Sequence, residues 1–258
     1  MASTLSDSTR TANMFLICLG LSLLLPCRAS LAQLDSPLAE KQIYAAIGNG
    51  RMTGRVIVAG SYKKPKPLPV FKNRSFCGAR VPNETLLVGR GGELRNAVVT
   101  LYPIDRKARP EPMQIVLDNK RCAFAPHVQV ATQGSELLLK NSDPVLHTVH
   151  ARIGQETLFN IGLPTWRQVT KRLSRVGVVR IDCDVLHTWM SAAIIVTDTP
   201  YFAVTDQNGN FVIEQMPKGQ YRAEIWHEKL GGKTVGVTLH GGAVTSLEVV
   251  YSSLNGSL

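Results

Sequence analysis

The sequence predicts an all-β protein, a sandwich or barrel of short strands, on three observations. Glycine and proline punctuate the whole chain, with 21 Gly and 14 Pro in 258 residues. Between them lie short runs rich in Val, Ile, Leu and Thr, residues that suit a pleated, half-buried surface. Helical signals are confined to one stretch near the N-terminus, and no internal repeat is visible.

Residues 1–32 read as a secretory signal. Arg10 precedes an apolar run from Met14 to Pro26, and Ser30-Leu31-Ala32 puts small residues where signal peptidase reads. The run is about 13 residues, short of the roughly 20 that span a bilayer. Cleavage leaves Gln33 first and an exported chain with no later transmembrane segment, in a bacterial setting most simply the periplasm. Lipid attachment through Cys27 is a weaker reading, because Leu24-Leu25-Pro26 lacks the small residue such sites carry.

Residues 33–94 are expected to form an N-terminal segment with a short helix and a β layer. Ser36 caps the helix, Pro37 takes its first position, and Gly48-Asn49-Gly50 ends it after Ile47. Strand-like runs follow at 54–59, 96–102, 128–131, 136–141, 176–182, 193–197, 210–214, 221–226, 233–239 and 244–251. The stretch 158–171, with Gly162, Pro164 and Trp166, reads as an irregular loop. Asn208-Gly209 predicts a tight hairpin, and Pro217-Lys218-Gly219 a second reversal.

The formal charge is +10, and it falls by one if Asp7, Arg10 and Arg28 leave with the signal. A basic exported protein suits an acidic partner or an anionic surface. Nucleic acid is not expected, since the basic residues are scattered and the one dense cluster, Lys63-Lys64-Pro65-Lys66, is broken by proline. Signal removal also takes Cys18 and Cys27, leaving Cys77, Cys122 and Cys183. An odd number in an oxidising compartment is most simply one disulfide plus a thiol with another task. Cys77 with Cys122 is the expected pair, leaving Cys183; three unrelated buried cysteines are the alternative.

The stretch Cys183-Asp-Val-Leu-His187-Thr-Trp-Met190 holds a thiolate, an imidazole and a thioether within eight residues. A copper ion that passes single electrons wants two imidazoles and a thiolate in a plane with a weak axial thioether. The upstream candidate for the second imidazole is His147, in Asn141-Ser-Asp-Pro-Val-Leu-His147-Thr-Val-His150. His150 competes, but three residues apart on a strand the two face opposite ways.

Here the chain resembles the cupredoxins, in which a His after an Asn-x-Asp strand end pairs with a C-terminal loop carrying Cys, His and Met in order. The resemblance covers residues 95–197 and implies a Greek-key β-sandwich holding one mononuclear copper through His147, Cys183, His187 and Met190. Three residues separate Cys183 from His187 and two separate His187 from Met190, unlike plastocyanin-like or azurin-like loops. The spacing is similar to half of the binuclear loop of cytochrome oxidase subunit II, but the additional Cys of that loop is replaced by Val179, which favours one metal ion. The residue after the first His, commonly Asn in small cupredoxins, is Thr148, so hydrogen bonding around the thiolate is open. His127 is a further candidate for the site or its surroundings.

Residues 192 to about 252 resemble carboxypeptidase-regulatory-like, transthyretin-like β modules in Thr205-Asp206-Gln-Asn-Gly209-Asn-Phe211 and Pro217-Lys-Gly219-Gln-Tyr221, and 198–258 is expected to form such a module. At this size such a unit is expected to continue the sheet of the copper domain or pack on it. The whole is similar to exported cupredoxin-like proteins associated with methylamine utilisation. No substrate or partner follows from that likeness; the ligand set, which saturates the metal and leaves no open position for substrate, points to an electron carrier rather than an enzyme, passing electrons between a dehydrogenase and a cytochrome-like acceptor. Two other functions remain: a copper carrier or buffer of the cell envelope, and a metal-free binding module. His227-Glu228 lacks the nucleophile or third group that catalysis needs, His240 reads as a turn residue, and Trp189 either shields the site or offers a docking face.

Overall fold

The computed structural model describes residues 50–252. The expected signal segment and the helix from Ser36 to Ile47 lie outside the described residues. The strand β1 (Gly50–Ala59) comes first. In the segment after it, β2 (Leu68–Pro69) and β3 (Arg80–Val81) pair on either side of one helical turn, α1 (Arg74–Cys77), and β4 (Leu87–Val88) pairs with β5 (Leu94–Arg95). Then come β6 (Val98–Pro103), β7 (Gln114–Lys120), β8 (Ala123–Ala125), β9 (Val128–Thr132), β10 (Glu136–Asn141) and β11 (His147–Ile153). These are followed by β12 (Glu156–Leu163), β13 (Gln168–Arg172), β14 (Gly177–Asp182) and β15 (Ser191–Thr197). The last strands are β16 (Phe202–Val204), β17 (Asn210–Met216), β18 (Gly219–His227), β19 (Gly231–Leu239) and β20 (Val244–Ser252).

The strands build two sandwiches. In the first, the sheet β13-β10-β7-β8 faces the sheet β12-β11-β14-β15-β9 in a Greek-key arrangement. Leu117, Leu137 and Leu139 from one sheet meet Val149, Ala151, Val179 and Ile181 from the other in a single apolar core. In the second, β16-β6-β18-β19 faces β17-β1-β20, and Val99, Leu101, Tyr221 and Ile225 pack on Met52, Val56, Phe211 and Tyr251.

A third, smaller cluster joins the two: Val98, Val128, Val130, Ala193 and Ile195, with Phe202, Val204 and Trp226 against it. β15 shows why. Ala192, Ile194 and Val196 belong to the first core, while Ala193 and Ile195 point the other way into the junction. An unbroken apolar run is what a strand buried on both faces requires. His127 and Glu228 add a polar tie across the same junction, with Nε2 2.6 Å from Oε2.

The units divide differently from the chain-order expectation. β1, assigned to an N-terminal layer, is the middle strand of a sheet with β17 and β20, and runs parallel to β20 over its last nine residues. β6, expected to open the copper domain, lies between β16 and β18. Both pair with C-terminal strands and carry apolar faces that those strands help to cover, and those pairings are too distant in sequence for local pattern to reveal. The disulfide ties down α1 rather than β1.

Three smaller corrections follow. The stretch 158–171 is not an irregular loop but most of β12 and the start of β13, edge strands whose mostly exposed side chains give little apolar alternation. β7, absent from the expected runs, buries Ile115, Leu117 and Asn119 in alternation. The turn at Asn208-Gly209 exists, with Gly209 at φ 70° and Asp206 Oδ1 accepting the N–H groups of Asn208 (2.8 Å) and Asn210 (2.9 Å). It is not a paired hairpin, however, because β16 and β17 belong to opposite sheets. A Cβ on Gly209 would stand 2.5 Å from the Val56 carbonyl oxygen, so only glycine fits.

Candidate metal centre

The site sits at one end of the first sandwich, where adjacent antiparallel strands deliver its parts. His147 is the first residue of β11, and Cys183 follows the last residue of β14. The ladder pairing His150 with Asp182 brings these strand ends together. The loop from β14 to β15 supplies His187 and Met190, and is tightened by Met190 N–H donating to the His187 carbonyl (2.8 Å). His147 and His187 are fully buried, and Cys183 is 4% exposed.

Three donor atoms converge. Cys183 Sγ lies 3.9 Å from His147 Nδ1 and 3.7 Å from His187 Nδ1, and the two nitrogens are 3.0 Å apart. The outer nitrogen of each ring has an acceptor. His147 Nε2–H donates to Asp143 Oδ2 (3.0 Å), and His187 Nε2–H donates to Asn73 Oδ1 (2.9 Å). Each proton is thereby kept on Nε2, and each Nδ1 presents a lone pair inward. Burial pushes the pKa of His147 down against the pull of Asp143. Burial first, then the charges of His147 and Lys72, push His187 down to about 4. Neutral rings are what a metal needs.

Two imidazole lone pairs facing each other at 3.0 Å beside a thiol sulfur make an unfavourable cluster unless an electrophile lies among them. An ion bound trigonally by two imidazole nitrogens and a thiolate sets N···S separations of about 3.7 Å, and the observed values are 3.7 and 3.9 Å. The N···N separation, 3.0 Å, is shorter than the roughly 3.5 Å of that arrangement. The donor set therefore fits a borderline-soft metal.

The surroundings hold these groups in place. Asp143, 2% exposed, accepts three donors: His147 and the N–H groups of Arg121 (2.7 Å) and Cys122 (2.8 Å). Arg121 and Cys122 both have positive φ, a conformation that aims successive N–H groups at one anion. Asn141 shapes the loop before His147, donating to the carbonyls of Val145 and Leu163 and accepting from Asp143 N–H. Thr148 offers its N–H (3.3 Å) and hydroxyl (3.7 Å) to Cys183 Sγ, while its Oγ1 accepts Asp184 N–H (2.6 Å). The residue replacing Asn thus still bonds the sulfur, mainly through its backbone.

The other candidates fall as follows. Met190 is 2% exposed and shares the first core with Cys183. Trp189 is buried, donating Nε1–H to the Cys122 carbonyl (3.0 Å), with its ring 4.9 Å from that of His187. It shields the site rather than offering a docking face. His150 points away, to Asp184 (2.9 Å) and Thr157 (2.8 Å). His127 is not among the converging donors; its nitrogens engage the Ser191 carbonyl (3.0 Å) and Glu228.

Cys77 and Cys122 form the expected disulfide, which leaves Cys183 as the free thiol among the described residues. A second grouping of Cys122, Asp143 and His147 offers no separate centre, because the Cys122 sulfur is spent in that bond. Sequence reasoning missed Asn73 altogether. It lies far upstream, and the cysteine pairing alone does not say which side chain of its segment turns inward.

No protein-family model and no curated protein matches this sequence. Among the described residues, no helix is long and apolar enough to cross a membrane. Among solved structures, the chain is similar to a purple cupredoxin from Nitrosopumilus maritimus at 21% identity, over 33% of this chain and 99% of that one, with a TM-score of 0.29. It is similar to a reduced amicyanin variant at 18% identity, over 33% of this chain and 82% of that one, with a TM-score of 0.29. A copper-containing nitrite reductase from Thermus scotoductus SA-01 is similar at 19% identity, over 37% of this chain and 25% of the reductase, with a TM-score of 0.31.

Proposed function

We propose that this protein is an exported one-electron carrier in which His147, Cys183, His187 and Met190 would hold one mononuclear type 1 copper. The observation that carries the reading is the convergence of two Nδ1 atoms and a thiol sulfur within 3.9 Å, each ring with its proton committed outward. When bound, copper supplies the Cu(I)/Cu(II) couple.

The rest is the work of this chain. Burial keeps the imidazoles neutral, and Asp143 and Asn73 hold each proton on Nε2 and fix the ring orientation. Thr148 donates to the sulfur and tempers its electron density. Burial excludes water, and a donor set preformed on two strand ends and the tightened loop after β14 needs little rearrangement when the charge changes. Four protein ligands leave no position for a substrate, which favours electron transfer over catalysis. The disulfide and the N-terminal signal pattern support export, most simply to a periplasm, and the function then lies between a dehydrogenase and a cytochrome-like acceptor.

The test is a visible and EPR spectrum after one equivalent of Cu(II) and removal of excess. An intense thiolate-to-copper band with narrow hyperfine splitting is expected, and Cys183→Ser should abolish it. Colour retained in that variant removes Cys183 from the site. A protein that takes up no copper makes these side chains packing residues and leaves a β-sandwich binding module.

A further inference from the structure

Asn73 belongs to a short excursion that covers the outer edge of His187. Its base is closed by the β2–β3 pair and by Val70 N–H donating to the Ala79 carbonyl (3.1 Å), and Val70 and Val81 are buried in the first core. At its tip Asn73 has φ 55° and ψ 33°, a left-handed conformation that few residues other than Gly, Asn and Asp adopt readily. Its carbonyl accepts the N–H groups of Phe76 (3.0 Å) and Cys77 (2.9 Å). The backbone is thus pinned, and the side chain is free to reach His187.

The excursion is tied to the other side of the site by the disulfide. Cys122 donates its N–H to Asp143, which holds His147, and its carbonyl accepts Trp189 Nε1–H beside His187. One continuous path therefore runs from His187 through Asn73, Cys77, Cys122 and Asp143 to His147. We infer that Asn73 is a positioning residue for His187, and that the Cys77–Cys122 bond couples the supports of the two histidines, so that cutting it loosens both.

This inference rests on the copper reading, but part of its test does not need the metal. Asn73→Gly removes the acceptor while keeping the backbone conformation available, and Asn73→Asp restores an acceptor. In the metal-free protein, NMR should show a slowly exchanging His187 Nε2–H in the parent and in Asn73→Asp. In Asn73→Gly that proton should exchange rapidly and the ring should populate both tautomers. With copper bound, Cu(I) extraction by a chelator should be about 10-fold faster for Asn73→Gly, the lower end of what lost partners of metal-bound histidines cost. Arg74→Ala, in the same excursion, should leave both readouts unchanged.

A variant pair, Cys77→Ser with Cys122→Ser, should speed proton exchange at both His187 and His147. An unchanged His187 signal and release rate in Asn73→Gly would overturn the role of Asn73. Effects confined to His187 in the double variant, or absent there, would overturn the coupling. If the parent binds no copper, the metal reading fails while the NMR comparison still decides the fate of Asn73.

Discussion

Replacing His227 by Asn should flatten the acid side of the stability curve. His227 is 2% exposed at the end of β18, and its Nδ1 accepts the Lys229 N–H (3.2 Å), which fixes the neutral ring. Burial, opposed by Glu228 and reinforced by His127, pushes its pKa down to about 4, against about 6.5 in an unfolded chain. As pH falls, the unfolded chain therefore binds this proton first. The contribution is fully present above pH 6.5, is lost as pH falls towards 4, and levels off below. Linkage puts the loss at about 2 kcal/mol at pH 5 and about 3 kcal/mol at pH 4. Asn keeps an acceptor near the Nδ1 position and cannot titrate.

Urea unfolding of parent and His227→Asn, followed by tryptophan fluorescence from pH 7 to 4, gives the comparison. The variant should be less stable at pH 7, because it loses packing. The gap should close by about 2 kcal/mol at pH 5 and by about 3 kcal/mol at pH 4. Other groups, His187 and His147 among them, titrate in both proteins and drop out of the difference. Two curves that run parallel from pH 7 to 4 would refute the claim that His227 is held neutral by burial.

Thr148→Val removes the hydroxyl bond to Cys183 and the acceptor of Asp184 N–H. Copper should stay bound while the potential falls on the order of 40 mV, the worth of one hydrogen bond of about 1 kcal/mol; protein-film voltammetry reads it, and an unchanged potential would leave the backbone N–H as the effective donor. Met190→Leu is close to volume-conserving and should cost less than about 1.5 kcal/mol. The blue band should persist and the potential rise, whereas a fall would remove Met190 from the set of residues that would hold copper. Glu228→Ala strips His127 of its hydrogen-bond partner across the junction and should cost about 1–3 kcal/mol, the penalty of leaving a buried polar group without its partner. Unfolding in urea at pH 7 measures this, and the visible band should not change.

Local pattern made much of the molecule legible. Alternation and turn residues located most of the longer strands, and the unbroken apolar residues of β15 carry in themselves the need for two buried faces. The order Cys183, His187, Met190 on one loop is readable because those ligand types rarely gather by chance, and the three-residue offset between His147 and His150 already implied that only one turns inward. The edge strands β12 and β13 were illegible for the opposite reason: they bury little, so selection for an apolar face leaves no trace. Asn208-Gly209 announces a reversal but not which sheet receives the chain.

The sequence by itself determined the all-β class, the chemical identity of the converging donors and the odd cysteine left after one disulfide, because each of these is a property of residue types and short-range spacing. Only the tertiary structure decided that β1 and β6 complete the C-terminal sandwich, that His127 serves the junction, and that Asn73 reaches His187. Those outcomes depend on which distant surfaces bury one another. Strand pairing across 150 or more residues, as between β1 and β17, is settled by the sum of many contacts and leaves no local mark on the chain.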